Sequence, residues 1–285
     1  MSAKLQIIEV ETAADAESMA AFFKTIWVDG DEVVPFDLVL AAIHVGGYAT
    51  VAKLEDKVVG ASFGFLGEYA AHQVLHSHVT AASVPGVGYQ LKQHQFAWAL
   101  EREIGGITWT FDPLVRRNCV FNFEKLGALA VEYLPNFYGT MTDAINAGDD
   151  SDRIMAYWPV QETMDSETTK TSAIALKNSA GQPELRQYDD TKSFWVELPE
   201  DIESLRKTNL DLARQWRKAV RDVLQPALDD GWFIAAVNGD RTGLLVEPPT
   251  AMITLTAFSI DFFVMMSRGF KSFLIASDRK STRLN

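Results

Sequence analysis

The stretch Leu75-His-Ser-His-Val-Thr-Ala-Ala-Ser-Val-Pro-Gly-Val-Gly-Tyr89 decides how this chain is read. Val74 to Ala82 is a run of β-branched and small residues that predicts a strand. Pro85-Gly86-Val87-Gly88 interrupts it. Tyr89 to Glu103 then places Phe96, Leu100 and Ile104 on one helical stripe. Glycines let backbone N–H groups converge on one cavity, and a helix N-terminus adds positive potential, so this junction suits an anionic pyrophosphate. A dinucleotide fingerprint would need a third glycine at position 91, where Leu91 stands. An ATPase-type phosphate loop would end in Gly-Lys-Ser/Thr, which is absent. The pyrophosphate loop of an acyl-CoA enzyme and a plain tight turn stay open on the glycines alone.

Working outward, Leu5 to Val10 reads as a first strand, and Met19, Phe22, Phe23 and Ile26 fall on one face of the helix after it. Phe36 to His44 is a short second helix stopped by Gly46-Gly47. Tyr48 to Leu54 and Lys57 to Leu66 form a hairpin around Glu55-Asp56. Downstream come a strand at Ile107 to Phe111, a helix at Arg116 to Leu126, and strands at Ala130 to Leu134 and Arg153 to Val160. The order β-α-α-β-β-β-α-β-α-β-β predicts an α/β fold with a mixed, mostly antiparallel sheet flanked by helices. Residues 1–162 form this domain and 163–190, rich in Ser, Thr, Lys and Asp, read as a linker. Residues 191–243 read as a smaller α/β segment. It has a strand at Ser193 to Leu198, a helix from Pro199 to about Asp229 that Pro226 kinks or breaks, and a closing strand at Trp232 to Val237. Residues 244–285 are a doubtful tail. Ala251 to Met266 is apolar but interrupted by Asp261 and too short for a comfortable membrane span.

Composition limits the function classes. Of 285 residues 47% are hydrophobic, enough to bury a full core and exclude wholesale disorder. With 38 acidic against 26 basic residues the formal charge is -12, which argues against a nucleic-acid partner. The single cysteine, Cys119, excludes a disulfide framework and a cysteine cage, and it reads as core. The five histidines have no cysteine partner, so no metal is expected. Met1-Ser2-Ala3-Lys4 opens no signal peptide, which makes a cytoplasmic protein without membrane association the expectation. Gly60-Ala61-Ser62-Phe63-Gly64 matches the G-x-S-x-G of serine hydrolases, and His44-Val45-Gly46-Gly47 is similar to an oxyanion-loop motif. That elbow needs a helix directly after the serine, whereas Phe65-Leu66-Gly67 continues a strand, so Ser62 reads as a strand residue.

Over about the first 160 residues the element order resembles the GNAT superfamily of acyl-CoA N-acyltransferases. The superfamily's Q/R-x-x-G-x-G/A frame falls on Ser83-Val84-Pro85-Gly86-Val87-Gly88, with both glycines matched and Ser83 in place of Gln or Arg. Asn118 to Ala128, NCVFNFEKLGA, is similar to the next helix of the family, with Phe123 where a tyrosine often stands. LHSHVTAA, ITWTFDP, FNFEKLGA, YLPNFYGTMTDAINAGDDSDR and LARQWRKAVRDV resemble one branch of the superfamily that carries an additional C-terminal α/β segment, a likeness running to about Val237. The last residues, from Asp278 to Asn285, resemble a translated sequencing adapter, so the extreme C-terminus is expected to be non-native.

The resemblance implies direct acyl transfer from acetyl-CoA to a small amine or amino-acid-like acceptor. The backbone of Val79, Thr80 and Ala81 would hold the pantetheine and thioester. Gly86, Val87 and Gly88 would hold the pyrophosphate, and Asn118 the cofactor arm. His76 and His78, two apart on a strand, point to one face and are candidate bases, or else a hydrogen-bonded structural pair. Asp112 is a second candidate base, or a turn residue before Pro113. Tyr133 and Tyr138 are candidate acids for the departing thiolate. Lys92, Arg116 and Arg117 are candidates for the CoA phosphates, or solvated charges. Trp109, Phe111 and the YLPNFYG segment could line an acceptor pocket. The competing reading is an acyl-CoA-binding sensor or scaffold that transfers nothing. The second segment either covers the acceptor site or forms a homodimer contact.

Overall fold

Thr12 starts the first helix: its hydroxyl accepts from the Asp15 amide and the Asp15 carboxylate accepts from the Thr12 amide, a reciprocal cap. This helix, α1 (Ala13–Ile26), follows β1 (Leu5–Glu9) and precedes α2 (Phe36–His44). Then come β2 (Tyr48–Leu54), β3 (Lys57–Tyr69), β4 (His72–Ala82), α3 (Val87–Glu101) and β5 (Gly106–Phe111). In the computed structural model residues 4–27, 33–69, 71–139, 148–160 and 171–249 are described. The chain divides into two compact units, Met1–Thr110 with Tyr157–Thr163, and Phe111–Ala156 with Met164–Asn285.

In the first unit β1, β2, β3 and β4 pair antiparallel in that order, and β5 joins β4 in parallel. Successive strand residues point to opposite faces, and the core divides accordingly. Met19, Phe22 and Phe23 of α1 and Val39 of α2 pack with Val51, Phe63, Val79 and Ala81 on one face. Val87 and Leu91 of α3 pack with Ala52 and Val59 on the other. The end of β7 (Arg153–Pro159) lies beside β5, where the Tyr157 ring fills the space over Gly106.

The second unit holds α4 (Arg116–Cys119), which runs on as a π-helix over Val120–Lys125, then β6 (Leu129–Leu134) and the start of β7. β8 (Ile174–Ser179), β9 (Gln182–Leu185), β10 (Phe194–Glu197), α5 (Ile202–Thr208), α6 (Leu210–Asp229), β11 (Phe233–Val237) and β12 (Gly243–Glu247) complete it. Its strands lie in the order β7, β6, β11, β12, β10, β8, β9. Trp216, Val220, Leu224 and Leu228 form the buried stripe of α6.

The element order through β7, the mixed and mostly antiparallel sheet and the helices on its faces make this the α/β fold expected from the sequence. Three expectations change beyond it. Part of the stretch read as a linker pairs as an antiparallel hairpin, β8 with β9, because Asn178-Ser-Ala-Gly181 carries two residues at positive φ that close a tight turn. The strand read as closing is followed by β12, whose Leu244, Leu245 and Val246 are fully buried between β10 and β11. The long helix is two helices: Asn209 ends α5 and caps α6 through its side chain, while Pro226 stands in the last turns without ending α6. The apolar stretch at 251–266 and the adapter-like residues 278–285 lie outside the described residues.

Candidate active site

The site is built where β4 leaves its parallel partner. β4 and β5 pair at Val74–Gly106, Leu75–Ile107 and His76–Thr108, and there the register ends. On its other side β4 stays paired with β3 as far as Ala82–Gly60. Residues 77–82 therefore form a strand edge with no neighbour in register on the β5 side. Between the Phe63–Val79 and Phe65–His76 pairs, Ser77 and His78 stand against the single residue Gly64, a bulge in β4. A side chain at Gly64 would bring its Cβ within 2.7 Å of the His76 carbonyl oxygen, so the bulge requires glycine there. At Gly60 the Cβ would meet Val87 Cγ1 at 2.8 Å. Packing thus accounts for both glycines of the G-x-S-x-G match. Ser62 Oγ is buried, 2.7 Å from Thr80 Oγ1, in mid-strand, and the hydrolase reading falls.

At the end of β4, Gly86 caps α3 with φ +83°, a left-handed backbone that favours glycine. No side chain caps this helix and no acid stands in its first turn. A Cβ at Gly86 would meet nothing within 4 Å, and one at Gly88 only Ala82 Cβ at 4.0 Å. The N-terminus of α3 is open to a ligand: the Val87 amide bonds the Val84 carbonyl at 3.3 Å, no side chain caps the turn, and the helix dipole points its positive end there.

His76 and His78 lie together against Phe65, with ring centroids 5.2 and 6.0 Å from it. His76 Nδ1 is 3.0 Å from Thr108 Oγ1, the partner that its sequence neighbours did not reveal. Burial lowers the His76 pKa to about 4, helped by His78 and Lys92, so the ring is neutral near pH 7. His78 is exposed and shifts in the same direction through burial of part of its ring.

Asp112 is not a free base. It is buried in the second unit, where Arg206 and Arg217 both hold it, with Arg217 Nη1 and Nη2 at 2.8 and 2.9 Å from its two oxygens. Burial raises its pKa, and the two guanidinium charges outweigh that and hold it far below the carboxylate range. Asp149 braces the same pair, accepting from both arginines at 3.0 Å. Tyr133 donates to Asp152 at 2.6 Å, and burial beside that carboxylate raises its pKa, so it is a poor proton donor. Tyr138 stacks under the Arg153 guanidinium. Arg116 donates to the Leu198 carbonyl, and Arg117 is paired with Glu203. Asn118 stands on α4, its amide bonded to the Val115 carbonyl at 2.9 Å. Cys119 is core: its Sγ is 3.3 Å from the Pro113 carbonyl and burial raises its pKa.

Lys92 also departs from expectation. It is no surface charge at the loop but a buried group under the sheet, donating to Ser77 and Gln95. Ser77, Gln95, Thr80 and Thr108 were missed as a set. The apolar stripe read on this helix does not define its buried side: Leu100 is exposed, while Lys92 and Gln95 are buried with Leu91. Among the described residues no group of three His, Cys, Asp or Glu could hold a metal ion. None of the described helices is long and apolar enough to cross a membrane. A depression of about 760 Å³ in the first unit lies at the far end of α3, between Glu9, His44, Trp98 and Arg102, and takes no residue from β4 or β5.

No family model matches the chain, and no curated protein matches it. Solved structures are similar over part of it. The acetyltransferase of the GNAT family from Streptococcus pneumoniae is 15% identical, with TM-score 0.44, over 54% of this chain and 98% of that one. The aminoglycoside 6'-N-acetyltransferase from Enterococcus faecium is 15% identical, with TM-score 0.42, over 56% and 99%. The ribosomal-protein-S18-alanine N-acetyltransferase from Escherichia coli is 12% identical, with TM-score 0.44, over 58% and 100%. Each likeness spans little more than half of this chain.

Proposed function

We propose that this chain transfers an acyl group, acetyl in the simplest case, from an acyl-CoA to the amine of a small acceptor. The observation that carries the reading is the parting of β4 from β5 beside an uncapped helix N-terminus. An unpaired strand edge recognises an extended, amide-bearing chain by main-chain hydrogen bonds. The pantetheine arm of CoA is such a chain. Val79, Thr80 and Ala81 lie on that edge, and Gly86, Val87 and Gly88 present the helix start to which a pyrophosphate would bind.

Transfer by direct attack needs an acceptor for the amine proton. His76, neutral and anchored on Thr108, is the residue we assign to it, with His78 beside it. Asp112 is set aside because two arginines neutralise it. The nitrogen attacks the thioester carbonyl, the carbon–sulfur bond breaks, and CoA leaves.

A thermal-shift titration of the whole chain against acetyl-CoA, CoA, NAD and ATP tests the cofactor. A ligand present at a hundredfold excess over its Kd adds about 2.7 kcal/mol of apparent stability. We expect a shift with acetyl-CoA and CoA alone, and its loss in Gly86→Glu, which puts an acid where the phosphates bind. Equal binding by that variant would overturn the site. CoA release with a panel of amines then separates a transferase from a protein that only binds acyl-CoA.

A further inference from the structure

Lys92 lies on the second turn of α3, and its side chain ends where β4 and β5 part. Its Nζ donates to Ser77 Oγ at 2.8 Å and Gln95 Oε1 at 3.1 Å, and stands 4.0 Å from the Trp109 ring centroid. Ser77 is one residue past the last β4 pair and Trp109 one past the last β5 pair. The ammonium therefore marks the vertex of the cleft from its α3 side. The groups around it are neutral oxygens and a ring, with His76 the nearest titratable neighbour along β4 and His78 beyond it. Gln95 Nε2 in turn reaches Ser62 Oγ, which bonds Thr80. Among the described residues no carboxylate pairs with Lys92, which is 5% exposed. Burial disfavours the cationic form and lowers the Lys92 pKa to about 7, so an anion brought beside Nζ at this vertex would favour the ammonium.

The unpaired edge runs from Ala82, beside the glycine loop, to Ser77. The five residue steps between them span roughly 17 Å, and an extended arm anchored by its pyrophosphate at α3 would run along the edge toward the vertex. Resting on the acyl-CoA reading above, we propose that the Lys92 ammonium holds the CoA sulfur as its thiolate at the vertex and so stabilises the leaving group of acyl transfer. In that step the amine nitrogen forms the bond to carbon and the carbon–sulfur bond breaks with its electron pair on sulfur. The amine proton passes to His76, and the thiolate takes a proton from water on release. Lys92 forms no covalent bond; it acts on the sulfur directly, through a Coulomb attraction strengthened by the dry surroundings.

CoA itself is the probe, so no acceptor is needed. The ultraviolet absorbance of the thiolate, followed against pH for CoA bound to the whole chain, reports the acidity of the thiol. A nearby cation favours the thiolate, whereas a free thiol titrates at about 8.5. We expect bound CoA to be at least tenfold more acidic than free CoA, and Lys92→Met to bind CoA with the thiol restored to its free acidity. The unaltered chain supplies a second measurement: CoA should bind at least tenfold more tightly than desulfo-CoA above pH 7. An unshifted thiol, or equal affinity for the two ligands, overturns the assignment while leaving CoA binding intact. A folded chain that binds no CoA overturns the acyl-CoA reading together with it.

Discussion

Single residues set the proton chemistry of the cleft. His76, with its pKa lowered to about 4 by burial, titrates well below an ordinary imidazole. The kcat/KM profile of an amine acceptor should therefore show no acid limb near pH 6.5 assignable to this residue. His76→Gln should lower turnover by about 10²-fold or more if it accepts the amine proton, whereas an unchanged rate removes it from that role. Lys92 follows the same logic, since burial disfavours its cationic form too. Its folded pKa of about 7 lies below the 10.5 of an exposed lysine, so the unfolded chain binds more protons between those values. Stability lent by the wild-type residue should rise with pH through that window, by an amount on the order of a few kcal/mol. Chemical denaturation of the wild type and Lys92→Met across pH 7 to 10 checks it: a parallel pH dependence in the two proteins would mean that Lys92 is not buried as a cation. Gly64 is constrained by contact instead. Gly64→Ala drives a Cβ into the His76 carbonyl and should destabilise by about 1–3 kcal/mol, read as a lower melting temperature.

Among the elements, α5 and α6 of the second unit are tied to the turn after β5 by charge. Arg206 of α5 and Arg217 of α6 converge on Asp112 and Asp149, all four nearly inaccessible to solvent. Removing one member of such a cluster leaves charges uncompensated in a dry site. Asp112→Ala should destabilise by about 3–5 kcal/mol, and urea unfolding would show it; a loss under 1 kcal/mol would mean that water reaches the arginines. The α5–α6 break shows how far sequence carries at this scale. The proline at 226 is visible in the chain, while the helix read from Pro199 starts in the structure at Ile202, capped by Asp201. The break comes at Asn209, whose side chain takes the Leu212 amide and lets the backbone turn out of the helix. Asn in a helical stretch is only a weak prompt, because the same residue tolerates a solvent-facing position.

For the molecule as a whole, the decisive test of the second unit is its last described strand. β12 pairs with both β10 and β11 and is buried throughout. A chain ending at Asn238 would lose it, expose two strand edges and should be aggregated or unfolded, as far-ultraviolet circular dichroism and sedimentation would record.

The sequence by itself determined the order of elements through β7, the amphipathic α1, the hairpin of β2 and β3, and the glycine junction before α3. Those features are local: apolar spacing, turn residues and caps act within a few positions, so they can be read where they stand. Tertiary structure alone decided which charges are buried and what neutralises them. Asp112 looks like a turn residue or a base until Arg206 and Arg217, about a hundred positions away, close on it. Lys92 looks like a solvated charge until the parting of β4 and β5 places it beneath Ser77 and Trp109. Desolvation and ion pairing depend on which surfaces meet, and that is a property of packing over long sequence separations.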